Sequence, residues 1–145
     1  MGGRTITLPP ERFPSFVRYT PLWCCMAKKR ILLVEDDEIV LTMLESVLST
    51  VGYAVDTAKT AATARTLLAA SSYSLVIADW RLPDGDGAVV ADCAAQLGAK
   101  TVLMSGYGRE MSPEVRGGHP IMMKPVGIGS LLSCVCDAIG GPYLA

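Results

Sequence analysis

The sequence predicts an α/β fold in which helices cover both faces of a parallel sheet. From Arg30 onward, short apolar runs alternate with segments whose apolar residues recur every three or four positions. The short runs are typical of strands buried on both faces, and the periodic segments are typical of amphipathic helices. Regular alternation of the two favours a doubly wound sheet of parallel strands joined by helical crossovers.

Five apolar runs are the predicted strands. The first covers residues 31–34, and the third covers residues 74–78 and ends directly before Asp79. The other three lie at residues 53–57, 101–104 and 121–123. All have the length of an ordinary strand, and none approaches the ~18 apolar residues that a membrane span needs.

Four segments have helical character. The first carries an apolar stripe and ends at Gly52, which suits a helix stop, while Asp37 is suited to cap its start. The third covers residues 88–97. The first, second and fourth segments carry apolar stripes. In that order, the stripes are Ile39, Val40, Met43, Leu44, Val47 and Leu48; Ala61, Ala64, Leu67 and Leu68; and Ile128, Leu131, Leu132, Val135 and Ile139.

The alternation is interrupted between Gly106 and Pro120. Pro113, Gly117 and Gly118 leave room for at most one or two helical turns in this segment. We therefore expect the helix that should join the fourth and fifth strands to be short or replaced by a loop.

Composition and charge exclude several classes of protein. With 145 residues, 50% of them hydrophobic, the chain suits one folded domain with a buried core. A net charge of -1 gives no field that would attract nucleic acid or an anionic membrane, so neither partner is predicted. The five cysteines include no CxxC pair, which disfavours disulfides and a zinc site and favours reduced thiols in the cytoplasm. His119, in a Gly-Gly-His-Pro sequence, is predicted to be an inert surface residue.

The first 27 residues differ from the rest of the chain. Their four prolines, at positions 9, 10, 14 and 21, leave no strand or helix period. We expect residues 1–27 to be a disordered tail before a domain at 28–145. Two alternatives stay open: the tail is a docking arm, or the native chain starts at Met26, which leads through basic residues into the first strand.

Polar residues follow four of the predicted strands. Glu35 and Asp36 follow the first strand, Asp79 the third, Ser105 the fourth and Lys124 the fifth. Because the carboxyl ends of parallel strands share one edge, where ligands bind in such sheets, we expect these side chains to lie together.

This set of side chains suits phosphoryl transfer. Carboxylates that are crowded together repel one another, and a hard cation such as Mg²⁺, which prefers oxygen ligands, removes that conflict. A carboxylate can then attack phosphorus, while a lysine and a hydroxyl stabilise the phosphoryl oxygens. The alternative interpretation is an inert acidic rim with Lys124 as its counter-ion.

Four motifs together resemble the receiver domains of bacterial two-component response regulators, in particular stand-alone receivers of the CheY type. In order they are Val34-Glu35-Asp36-Asp37, Asp79-Trp80-Arg81-Leu82-Pro83-Asp84-Gly85-Asp86-Gly87, Met104-Ser105-Gly106 and Lys124-Pro125. The resemblance runs from about residue 29 to residue 139 and implies a flavodoxin-like sheet with strand order 2-1-3-4-5.

The resemblance also implies a role for each site residue. Asp79 would be the phosphoacceptor in a phosphorelay, and Mg²⁺ would be held by Asp79, Asp36, Glu35 through water, and the backbone carbonyl of Arg81. Ser105 and Lys124 would contact the phosphoryl group. The donor would be a histidine kinase or a histidine phosphotransfer protein, and a change of surface would act on a downstream protein target that the sequence does not name.

Some positions depart from the family pattern. Ile121 stands where many receivers carry an aromatic residue that swings inward on activation, which argues against such a switch. Ser105-Gly106-Tyr107 is similar to a receiver subgroup with Thr-Gly-Tyr and a mobile loop in place of the fourth helix. We also expect Arg81 and Tyr107 to flank the phosphoryl group and to slow its hydrolysis.

Two other functions are compatible with parts of this pattern. A phosphatase of the haloacid-dehalogenase type also uses a strand-end aspartate, Mg²⁺ and a lysine, but it needs a second aspartate where this chain has Arg81. A receiver-like module that is never phosphorylated would usually have lost an acidic residue or the lysine, and none is missing here. We therefore predict a phosphoacceptor with at most slow self-dephosphorylation rather than an enzyme.

Overall fold

The computed structural model describes residues 27–106 and 117–144. Lys29–Pro142 form one compact unit, and in a second unit Lys28 and Tyr143 form an isolated antiparallel bridge. The predictions for the N-terminal tail and for most of the segment between Gly106 and Pro120 lie outside the described residues. None of the helices in the described ranges has the length and apolarity of a membrane span.

Strands and helices alternate along the compact unit. The strands are β1 (Arg30–Val34), β2 (Ala54–Ala58), β3 (Leu75–Asp79), β4 (Arg81–Leu82), β5 (Gly85–Asp86), β6 (Lys100–Ser105) and β7 (Ile121–Met123). The helices are α1 (Glu38–Val51), α2 (Ala61–Ala70), α3 (Gly87–Gln96) and α4 (Ile128–Ile139). The five strands and four helices predicted from the sequence are all present, each within a few residues of its predicted bounds.

The main sheet is parallel and has the order β2-β1-β3-β6-β7. Among the five strands of this sheet, that is the predicted order 2-1-3-4-5. Strand order reverses between β1 and β3, so the loops that follow these strands diverge to opposite faces and leave a crevice at the carboxyl edge. The register, which pairs Val34 with Ala78 and Asp79 with Met104, brings the ends of β1, β3 and β6 to that edge.

Each face of the sheet has its own apolar core, as a doubly wound fold requires. Leu32, Val34, Val76 and Leu103 pack with α2 and α3 on one face. Ile31, Leu33, Leu75 and Val102 pack with α1 and α4 on the other. The strands are therefore apolar on both faces, and each fully buried aliphatic side chain contributes about 1.5–3 kcal/mol to folding.

Two residues of the predicted helical stripes are wrongly assigned to the core. Ile39 is 82% exposed and Ile128 is 55% exposed, while Leu41, which the predicted stripe omits, is buried. The buried face of α1 is centred on Leu41, Leu44 and Leu48. At about 100° per residue, Ile39 lies nearly opposite Leu41 on the helix, which places it in solvent.

The helix ends follow local sequence rules. The Asp37 carboxylate accepts hydrogen bonds from the backbone N–H groups of Ile39 and Val40, at 3.0 and 3.2 Å, and so caps α1 as predicted. Gly52 ends the same helix with a φ of 124°, a left-handed conformation that favours glycine. Asp86 caps α3 in the same manner as Asp37, through the N–H of Ala88.

The sequence did not predict the short hairpin that separates β3 from α3. β4 and β5 pair antiparallel, with Arg81 opposite Asp86 and Leu82 opposite Gly85. Pro83 and Asp84 form its turn. The strands have only two residues each, too few for a periodic pattern to reveal them.

Candidate functional site

The carboxyl edge of the sheet brings together the acidic residues predicted for the site. One carboxylate oxygen from each of Glu35, Asp36 and Asp79 lies within 4.8 Å of the other two. Glu35 and Asp79 are buried, whereas Asp36 is exposed at the start of the loop after β1. Beside them is a surface cavity of about 380 Å³, lined by Asp79, Trp80, Arg81, Ser105, Gly106 and Lys124.

Lys124 is the counter-charge of two carboxylates. Its Nζ donates a hydrogen bond to Asp79 Oδ2 at 3.0 Å and lies 2.8 Å from Glu35 Oε2. Burial lowers the pKa of Lys124, but its attraction to the Glu35 and Asp79 carboxylates outweighs that effect and raises the pKa above its usual value. The ammonium group is therefore charged at neutral pH and is held at the Asp79 side chain.

Glu35 is a fully buried carboxylic acid. Burial raises the pKa of Glu35, although Lys124 and the N–H of Asp37, which donates to Oε1 at 3.1 Å, act in the opposite direction. Its Oε2 is paired with Lys124 by charge but receives no well-directed hydrogen bond within the described residues. Burying a carboxylate oxygen without a directed hydrogen bond is costly, and binding a cation offsets that cost. Glu35 Oε2 is therefore suited to bind a cation.

Asp79 is 8% exposed, so only a small part of it meets solvent at the cavity. Its Oδ2 accepts from Lys124, and its Oδ1 lies 3.4 Å from the backbone N–H of Arg81. The Arg81 guanidinium lies over the ring of Trp80, 5.5 Å from its centroid. Arg81 thus lines the cavity, with its cation against an aromatic face.

Ser105 ends β6 and is buried at the cavity wall, on the same sheet edge as Asp79 and Lys124. The predicted role of Tyr107 concerns a residue outside the described ranges. Ile121, at the position expected for a switching aromatic, is half-buried and packs against the core on the α2 and α3 face.

The prediction that His119 lies on the surface is wrong, because its side chain is buried. His119 is 7% exposed, its Nδ1 lies 2.6 Å from Thr101 Oγ1, and its Nε2 lies 2.7 Å from Asp92 Oδ1. Both ring nitrogens are therefore paired, one with β6 and one with α3. Local sequence could not show this, because the two partners are 18 and 27 residues away.

Two residues of the site region were not predicted. A Cβ added at Gly87 would lie 2.0 Å from the backbone oxygen of Asp79, so the start of α3 packs directly on the candidate phosphoacceptor. Asp84 receives hydrogen bonds from the backbone N–H groups of Ala61 and Ala62. The Pro-Asp-Gly sequence signals a turn at Asp84, but no local signal marks Gly87 or the partners of Asp84.

The donor set fits a hard divalent cation. Three carboxylates within reach of one another supply oxygen ligands only, and two or three carboxylates are what Mg²⁺ usually takes from a protein. Their mutual repulsion, which Lys124 offsets only in part, would be relieved by the ion.

Comparisons with known proteins identify the family to which most of this sequence is similar. The family model of the response regulator receiver domain matches residues 31–133. The chain is 48% identical over 58 residues to the transcriptional regulatory protein PmrA of Pectobacterium parmentieri, covering 40% of this chain and 26% of that protein. It is 28% identical over 119 residues to the response regulator protein PilR of Pseudomonas aeruginosa, covering 79% of this chain and 27% of PilR. The chain therefore spans about a quarter of the length of these relatives.

Solved structures give the same result for the fold. A CheY-like response regulator receiver domain from Methanospirillum hungatei superposes with a TM-score of 0.71 at 29% identity, covering 78% of this chain and 94% of that one. The receiver domain of the hybrid histidine kinase CckA gives a TM-score of 0.66 at 26% identity, covering 76% of this chain and 98% of that one. Since the family match covers well over half of the sequence, the chain belongs to the response regulator receiver domain family of two-component signalling.

Proposed function

We propose that this receiver domain accepts a phosphoryl group on Asp79 in a Mg²⁺-dependent reaction. The observation that carries the proposal is the pairing of Lys124 with Asp79 Oδ2 at the wall of a surface cavity, with the carboxylates of Glu35 and Asp36 clustered beside Asp79. The ion would be held by Asp79, Asp36 and Glu35, with the backbone carbonyl of Arg81 as a further oxygen. When bound, Mg²⁺ would neutralise charge on the oxygens of the transferring phosphoryl group.

The chain's own residues account for the rest of the step. A carboxylate oxygen of Asp79 attacks phosphorus, the bond from phosphorus to the donor nitrogen breaks, and the histidine of the donor leaves with the electron pair of that bond and takes a proton. Lys124 is already at hydrogen-bonding distance from Asp79 Oδ2 and would donate to a phosphoryl oxygen once the acyl phosphate forms. The Ser105 hydroxyl, at the same cavity wall, would donate to another.

The donor we propose is a phosphohistidine on a histidine kinase or a histidine phosphotransfer protein. Phosphorylation would change the charge beside Lys124 and the hydrogen bonding of Ser105, and this change would alter the surface that a downstream protein binds. We propose a single transfer with slow loss rather than turnover, because Arg81 stands where a dehalogenase-type phosphatase would need an acidic general acid.

Incubation with acetyl phosphate and Mg²⁺, followed by intact-mass measurement, tests the proposal. We expect a gain of one phosphoryl group in the parent protein and none in Asp79→Asn, whose nearly isosteric amide should preserve the fold. Release of inorganic phosphate without an adduct would favour the phosphatase, and an unchanged mass would favour a receiver-like module that is never phosphorylated. Undiminished labelling of Asp79→Asn would show that the acceptor is another residue.

A further inference from the structure

Asp84 connects the loop after the candidate phosphoacceptor to a helix elsewhere in the chain. Its Oδ1 accepts from the N–H of Ala61 at 2.7 Å, and its Oδ2 accepts from the N–H of Ala62 at 3.0 Å. Both donors are in the first turn of α2, where N–H groups lack partners within the helix. The hydrogen bonds from Ala61 and Ala62 lower the pKa of Asp84, so the carboxylate carries a full charge at the positive end of the helix dipole.

Helix α2 already has a cap of its own. Thr60, at the N-cap position, accepts from the N–H of Thr63 at 3.1 Å through its hydroxyl oxygen. Asp84 therefore adds two bonds from 22 and 23 residues away to a helix end that a local residue has capped. These bonds also hold the tip of the hairpin against α2, so they position the hairpin as well as cap the helix.

The hairpin is fixed at its base by different contacts. The N–H of Gly87 donates to the carbonyl of Trp80 at 2.7 Å, and Leu82 is buried in the core on the α2 and α3 face. At the tip, a Cβ added at Gly85 would be 3.8 Å from the Cβ of Ala61, which shows that the tip lies on α2. Arg81 lies between the two fixed ends, in register with Asp86.

We propose that Asp84 is a positioning residue for the phosphoryl-transfer site. By fixing the hairpin tip on α2, it fixes the backbone at Arg81, whose N–H lies 3.4 Å from Asp79 Oδ1 and whose carbonyl is the further metal ligand of the proposed function. This inference rests on that proposed function. Loss of Asp84 lets the Arg81 segment move while leaving Asp79, Glu35 and Lys124 in place.

The test compares Asp84→Ala and Asp84→Asn with Thr60→Ala, which removes the local cap of the same helix and leaves the hairpin untouched. Mg²⁺ binding is titrated by tryptophan fluorescence without phosphodonor, in a Trp23→Phe background, so that Trp80 beside the cavity is the only tryptophan. Melting temperatures, measured in parallel, report helix stability. Removing a group that orients a metal ligand typically weakens binding 10–100-fold, so we expect about tenfold weaker binding in Asp84→Ala.

The variants separate positioning from simple helix capping. Asp84→Asn retains one acceptor oxygen and should bind Mg²⁺ with an affinity between those of the parent and Asp84→Ala, while Thr60→Ala should bind like the parent at a lowered melting temperature. Equal Mg²⁺ affinity in Asp84→Ala and the parent would overturn the positioning role of Asp84 without affecting the proposed function. An equal loss of Mg²⁺ affinity in Asp84→Ala and Thr60→Ala would do the same. A parent protein that binds no Mg²⁺ and gains no phosphoryl group would overturn the proposed function on which the inference rests.

Discussion

Replacing Gly87 with alanine sets two physical rules against each other. Gly87 is the first residue of α3, and helix propensity alone predicts that alanine stabilises such a position by about 1 kcal/mol. In the structure, however, the added Cβ would lie 2.0 Å from the backbone oxygen of Asp79 and 2.9 Å from its carbonyl carbon. The sign of the change in the free energy of unfolding therefore decides which rule governs this site.

The size of the effect follows from these distances. Cβ atoms essentially never approach another heavy atom within 3.0 Å, so α3 or Asp79 must move by about 1 Å. Overpacking costs about 1–3 kcal/mol, and we expect the upper end, because the obstructing atoms are backbone and cannot rotate away. After subtraction of the propensity gain, Gly87→Ala should lower the free energy of unfolding by about 2 kcal/mol, a loss of roughly 5–10 °C in melting temperature.

The matched control is Gly129→Ala. Gly129 lies in the first turn of α4 and is exposed, and apart from its chain neighbours and the backbone of its own helix no atom of the described residues lies within 4 Å of an added Cβ, so alanine should stabilise there by up to about 1 kcal/mol. Thermal and urea unfolding of both variants measure the difference. Because Gly87 packs on Asp79, Gly87→Ala should also slow labelling by acetyl phosphate at a temperature where it is folded. A Gly87→Ala protein as stable as Gly129→Ala would refute the close approach between α3 and Asp79.

Four further predictions concern single side chains. Lys124→Ala should lower the free energy of unfolding of the metal-free protein by about 1–3 kcal/mol, since it leaves two buried carboxylates without a counter-charge. Urea unfolding should show millimolar Mg²⁺ recovering part of this loss; no recovery would contradict a cation site there. His119→Ala should cost about 1–3 kcal/mol in the same assay, because it removes a buried ring together with its hydrogen bonds to Thr101 and Asp92, whereas a surface histidine would cost less than about 0.5 kcal/mol.

The pKa of Asp84 lies below its ordinary 3.8, so its stabilising effect is complete above that value and is lost as the pH falls through the lowered pKa. The gap in melting temperature between the parent and Asp84→Ala should accordingly be full at neutral pH and shrink as the pH falls below 3.8, and a gap independent of pH would count against the charged cap. Arg81→Ala should shorten the lifetime of the aspartyl-phosphate, by about tenfold if the guanidinium adds about 1.4 kcal/mol to the hydrolysis barrier. Decay after removal of the donor measures this, and an unchanged half-life would show that Arg81 does not shield the site.

The sequence by itself determined the sheet and the composition of the site. Runs such as residues 31–34 are apolar at every position because both faces of their strand are covered, and that pattern is visible locally. Once parallel strands are inferred, their carboxyl ends must share an edge, so the convergence of Glu35, Asp79 and Lys124 follows without coordinates. The cap at Asp37 was equally predictable, because its partners are two and three residues away.

Beyond the ends of the strands, only the tertiary structure decided which helix and loop residues meet across long stretches of sequence. The bonds of Asp84 to α2, the two partners of His119 and the contact of Gly87 with Asp79 depend on how helices pack on the sheet, and no local period encodes that packing. The exposure of Ile39 has the same origin, since a helical stripe shows that one face is buried but the sheet beneath α1 selects the rotation about its axis. Local chemistry thus predicts the elements and the ends of strands, whereas the positions of loops and helix faces are set by contacts between elements that are far apart in the chain.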